Sequence, residues 1–109
     1  MSLDLDSILP AMITAARIPL NEAWRTVGPF AEIQLANIAT RIESLGEEVA
    51  LGEIEPSDAL ILLDIEKQAA ISLLAALEGI GKVTAETAIN NALDAVANIV
   101  NKSVGFVLL

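Results

Sequence analysis

Residues 59–81 read ALILLDIEKQAAISLLAALEGIG, and no other stretch restricts the fold of this chain so strongly. Written on a helix, Asp64, Lys67, Gln68 and Ser72 fall on one narrow polar stripe, because residues three, four and seven apart share a face. Ala75 and Glu78 continue that stripe, Glu66 stands apart from it, and the rest of the circumference is apolar. A helix with so narrow a polar face has to be surrounded on most sides.

Lipid is one possible surrounding, since about 20 residues cross the hydrocarbon core of a bilayer. A charge at the centre of a lone span costs about 2.5–3.5 kcal/mol on the insertion scale, against a gain of roughly 0.3–0.6 for each Leu or Ile. Asp64, Glu66 and Lys67 together nearly cancel the benefit of the leucines and isoleucines around them. The last helical stretch, with Asp94, Lys102 and four asparagines, is less suited still. Other protein segments are therefore the expected surroundings.

The chain can supply only some of them. With 109 residues it supports a single domain spanning residues 1–109, because a second independent core would not fit in that length. Apolar residues make up 54% of the sequence, above the roughly 45–50% of ordinary globular domains, so disorder is not expected. They are mostly Ala, Leu, Ile and Val, with Trp24, Phe30 and Phe106 as the only aromatics, a mixture that favours helix over strand.

The periodicity locates the helices. Asp6 or Ser7 can cap a first short helix through SILPAMITAARI, which Pro19 interrupts. LNEAWRTV resumes a helical pattern as far as Gly28-Pro29, where a break or sharp bend is expected, because Pro29 cannot donate to the carbonyl of Arg25. Ala31, Leu35, Ile38, Ile42, Leu45 and Val49 then alternate spacings of four and three, an apolar seam opposite Gln34, Asn37, Arg41, Ser44, Glu47 and Glu48.

Gly52 is expected to end that helix, and Pro56 to open the next, with Asp58 placed favourably for its dipole. Residues 29–51 and 56–79 thus form an antiparallel hairpin. Thr84 can cap a last helix over about 84–103, with Ala85, Ile89, Ala92, Val96 and Ile99 on one face. Glu86, Asn90, Asp94, Asn98 and Asn101 lie opposite. The closing VGFVLL is too short to span a membrane and too apolar for water, so a groove on this chain or on a second copy is its expected site. The fold class expected is all-α: an antiparallel helical bundle of three long helices plus a short or kinked N-terminal helix.

The residue types exclude much chemistry. Histidine and cysteine are both absent, which removes Ser-His and Cys-His catalysis, His- or Cys-ligated metals, and the Glu-x-x-His motif of di-iron bundles. GIGK at 79–82 lacks the spacing of a phosphate loop and follows a helix rather than a strand, so it reads as a helix stop. Glu43 and Glu47 lie opposite the region of Asp64 and Lys67 in the hairpin, where ion pairing, Glu43 with Lys67 and Arg41 or Arg25 with nearby acids, is expected rather than a metal site. No enzyme activity, catalytic residue, cofactor or metal is expected.

Fifteen acidic residues against six basic give a net charge of −9. Nucleic acid and anionic membranes would repel such a chain, and no basic cluster offsets this. The start, MSLDLDSILP, is acidic where a secretory signal would be basic, so a cytoplasmic protein is expected. The expected function is that of a self-assembling structural, scaffold or interaction subunit, a homo-oligomer of two copies or more. Its contacts are expected among Trp24, Leu60, Leu63, Glu66, Leu74, Leu77, Phe106 and Leu108. The alternatives are a module binding a small apolar, lipid-like ligand between its helices, and conditional membrane insertion of the pore-forming or holin-like kind.

Overall fold

The computed structural model describes residues 4–77 and 79–109. Four α-helices make up the fold: α1 (Leu5–Leu20), α2 (Trp24–Ala50), α3 (Pro56–Ala76) and α4 (Gly81–Val104). A single 3-10 turn, Asn21–Ala23, joins α1 to α2, so the first two helices form a bent 46-residue helical segment from Leu5 to Ala50. There is no strand among the described residues.

Local chemistry sets each boundary. The Asp4 carboxylate caps α1 by accepting from the Asp6 amide at 3.0 Å, so the cap lies two or three residues ahead of the expected Asp6 or Ser7. Pro19 does not interrupt the helix, because it falls in the last turn, where the chain is about to leave the helix in any case. The break comes at Asn21, whose φ of 51° and ψ of −124° belong to a backbone region open mainly to glycine and tolerated by asparagine.

That position also corrects the bend expected at Gly28-Pro29. Both residues lie inside a continuous α2, since the reversal of direction is completed seven residues earlier. The ring of Trp24 packs so closely over Gly28 that a Cβ there would stand 2.9 Å from the indole. Arg17 reaches back from α1 and sits over the same ring, 5.4 Å from its centroid. The Trp24 side chain is thus held between the two arms of the bend, in a cation–π contact.

Helix α2 ends in a Schellman motif. Gly52 has a φ of 74°, its amide donates to the Val49 carbonyl at 3.0 Å, and the Glu53 amide donates to Glu48 at 2.9 Å. At the start of α3 the Asp58 carboxylate accepts from the Glu55 amide at 3.2 Å, with Pro56 in the first position. Helix α4 starts at Gly81, three residues before the expected Thr84, with Ile80 as its N-cap residue and no side-chain cap bond. The buried Ile80 side chain anchors the turn instead.

In cross-section α1 packs on α2 and α4, α3 packs on the same two helices, and α2 meets α4 across the diagonal. Helix α2, about 40 Å long at 1.5 Å per residue, sets the 42 Å long axis of the molecule. The shared interior is lined by Ile8, Met12 and Ala16 from α1, Leu35, Ile38 and Ile42 from α2, Leu63 and Leu74 from α3, and Ile89, Val96 and Val100 from α4. Among the described residues it contains no polar or charged side chain. On α4 the expected face is shifted at its end: Val100 is buried and Ile99 is 52% exposed, because α4 meets α1 as well as the hairpin.

Candidate functional site

The closing segment finds its groove on the chain itself. Gly105, with a φ of 87°, ends α4 and turns the tail back toward α3. The Asn101 side-chain oxygen then accepts from the amides of Leu108 and Leu109 at 2.9 and 3.0 Å. Leu108 is 3% exposed and lies beside Leu60, Leu63 and Leu93 in the cleft between α3 and α4. Asn101 was expected on the solvent side of α4; it is half-buried and holds the tail, a use that residue type and helical spacing do not distinguish from exposure.

Among the described residues two clefts stand out at the surface. One, of about 240 Å³, is what the tail leaves of the α3–α4 groove, with Asp64, Lys67 and Asp94 at its rim. The other, of about 230 Å³, lies where the C-terminal ends of α2 and α4 adjoin, between Glu43, Glu47 and Ser103. Both fall short of the roughly 300–1,000 Å³ of small-molecule sites. They also explain why the expected pair of Glu43 with Lys67 is not made: Glu43 faces α4 on one flank of α2, while Lys67 faces the tail on the far side of α3. Among the described residues the one ion pair is Lys82 with Glu86, at 3.8 Å on the exposed surface; Arg25 and Arg41 make none. No three acidic side chains among the described residues converge on a point that could hold a metal ion.

Among the described residues α3 carries the most exposed large apolar side chains of any helix. Helix α3 buries Ala59, Leu63, Ala70, Ile71 and Leu74 and turns Leu60, Ile61, Ile65 and Leu73 outward, at 45%, 62%, 61% and 44% exposure. Ile61, Ile65, Ala69, Ser72 and Ala76 recur at spacings of three and four residues, and all five are exposed. The other helices carry isolated exposed apolar side chains, such as Ile18 on α1 or Val83 and Ile99 on α4, which are ordinary on any protein surface. Phe30 and Ile33 on α2 are also exposed, and the hairpin pairing sets Phe30 level with the C-terminal end of α3.

The residues expected at a contact surface are therefore divided. Leu63, Leu74 and Leu108 are buried in the chain's own core, so they are not available to a partner of the folded chain. Trp24, Leu77 and Phe106 are half-buried and pack against the core. Glu66 is half-buried, and Leu60 is exposed at the mouth of the tail groove. Ile61, Ile65 and Leu73, which the sequence did not single out, form the centre of the exposed face. The surplus of apolar surface on α3 was legible; which part of it stays uncovered depends on where α2, α4 and the tail pack. Among the described residues no helix is long and apolar enough to cross a membrane. The chain matches no family model, no curated protein and no solved structure.

Proposed function

We propose that this chain is a non-enzymatic helical-bundle subunit that associates with copies of itself through the outer face of α3, as a structural or interaction component. The observation that carries this reading is the exposure of Ile61, Ile65 and Leu73 on the outer side of a helix whose other sides pack on α2 and α4. Exposed apolar side chains gathered on one side of a helix, here interspersed with exposed Gln68 and Ser72, support an interaction reading. A second copy of the same chain is the partner always present, and two-fold pairing lets one surface cover itself.

The magnitudes bound the affinity. Fully burying a Leu or Ile is worth about 1.5–3 kcal/mol, so three half-exposed ones on each of two copies give roughly 7 kcal/mol before the costs of association. A micromolar Kd corresponds to about −8 kcal/mol. The association proposed is accordingly no tighter than micromolar, and the charge of −9 on each copy weakens it further at low salt.

Multi-angle light scattering of the wild type and of Ile65→Asp at high micromolar concentration tests this reading. The wild type is expected to exceed the chain mass of 11.4 kDa. Ile65→Asp is expected to run as a monomer with unchanged helicity by circular dichroism, because Ile65 lies outside the core. Equal association of the two proteins would overturn the assignment to this face.

A further inference from the structure

Residues 106–109 lie along the body of the protein without joining its secondary structure. Phe106 is half-buried, Val107 is 73% exposed and Leu108 is 3% exposed, the alternation of an extended chain laid on a surface. Among the described residues no main-chain hydrogen bond ties this segment to another element. One side chain holds its backbone instead. The Asn101 oxygen accepts from the Leu108 and Leu109 amides, and the Asn101 nitrogen donates to the Leu109 carbonyl at 3.4 Å.

A side-chain amide that pairs with both the N–H and the C=O of a passing chain reads backbone, which every peptide carries. The slot beside Leu60, Leu63 and Leu93 selects an aliphatic side chain. Extended peptides are recognised by this division, with main-chain bonds for affinity and a pocket for specificity. We propose that the α3–α4 groove is a docking site for an extended peptide of a partner protein, an aliphatic pair followed by basic residues. The chain's own tail occupies the groove as an autoinhibitory strap. This site is separate from the outer face of α3 and does not depend on self-association.

The tail fills only part of the groove. Leu109 forms one wall of the remaining cleft of about 240 Å³, so a peptide that follows the tail's course and continues past that position enters it. There it meets Asp64 and Asp94, both exposed, and Lys67. Among the described residues neither acid is paired with a cation. Two carboxylates against one ammonium favour a positively charged continuation, as does the net charge of −9. Residues 103–109 carry no charged side chain, so the tail leaves this part of the groove unused.

Occupancy by the tail weakens every competitor, because a partner binds only the fraction of molecules whose groove is open, and its apparent Kd rises as that fraction falls. Gly105 sets the return of the tail with a φ of 87°, a conformation that a β-branched residue resists. It lies outside the groove, with open space around it. Gly105→Val therefore frees the tail without touching the groove, and Leu108→Ser frees it by removing the anchoring side chain.

Fluorescence anisotropy on the full chain tests the proposal with the labelled peptide Gly-Phe-Val-Leu-Leu-Lys-Lys and its counterpart ending in Glu-Glu, helicity being followed by circular dichroism. The lysine peptide is expected to bind Gly105→Val and Leu108→Ser about ten-fold or more tighter than the wild type. It is expected to outbind the glutamate peptide and to lose its site when Leu60→Asp is added to Gly105→Val. Equal affinity for the wild type and both variants, no binding to either helical variant, or binding that survives Leu60→Asp would overturn the site. Equal binding of the two peptides would overturn the basic continuation. Displacement of the peptide by laurate at lower concentration than by unlabelled peptide would assign the groove to an acyl chain and overturn the peptide reading. A larger mass for Gly105→Val than for the wild type in light scattering would assign it to the tail of a second copy and overturn the partner reading.

Discussion

Two asparagines carry more of the fold than their polarity suggests. Asn21 occupies a positive φ at the junction of α1 and α2, where most side chains are strained by one to a few kcal/mol, and this one residue decides where the long N-terminal helical segment bends. Asn101 satisfies the amides of Leu108 and Leu109 where no secondary structure does. Asn101→Ala is expected to release the tail, expose Leu108 and lower stability by about 1–2 kcal/mol, a fall in Tm on the order of 5–10 °C. Asn101→Asp keeps the accepting oxygen and is expected to retain tail protection in hydrogen exchange at the Leu108 and Leu109 amides. Equal loss of protection in both variants would contradict this role.

Neither asparagine's role was legible in the sequence. Asparagine on the polar face of an amphipathic helix looks the same whether it meets water or a returning chain, and the positive φ of Asn21 lies at a bend that no local pattern marks. Gly28 and Pro29 gave the stronger local signal for a break, yet they sit within α2. Once Asn21 has turned the chain, a further bend would pull Ala31 and Leu35 out of the core they share with α4. Tertiary burial overrides the local preference there.

At the scale of the helix, Pro29 therefore costs α2 a hydrogen bond that nothing recovers within the ladder, since its nitrogen cannot donate to Arg25. Pro29 is exposed, so Pro29→Ala changes little else. It is expected to stabilise the protein by on the order of 1–3 kcal/mol, read as a rise in Tm, given the penalty of about 3 kcal/mol for proline inside a helix. A lower Tm would contradict this reading of Pro29. The apolar seam of α2 was legible almost residue by residue: Ala31, Leu35, Ile38, Ile42 and Leu45 are all buried, because a helix with a polar back has one way to face a core. Helix α3 was legible only in part. Apolar residues surround most of it, so periodicity alone could not choose between the face that packs on α2 and α4 and the face that stays open.

For the whole molecule, that open face is the unresolved packing demand with which residues 59–81 begin. The bundle covers α3 on two sides, the tail fills the groove beside Leu63, and Ile61, Ile65 and Leu73 are left. Self-association through them would complete the burial that the composition requires, against the repulsion of two chains each carrying −9. Salt screens that repulsion without weakening apolar burial, so association is expected to tighten as ionic strength rises. Sedimentation equilibrium of the wild-type protein over the micromolar range, at low and at high salt and without detergent, measures this directly. The expected result is a reversible monomer–dimer equilibrium with a stronger dimer at high salt. A single species at 11.4 kDa at every concentration and in both salts would contradict it.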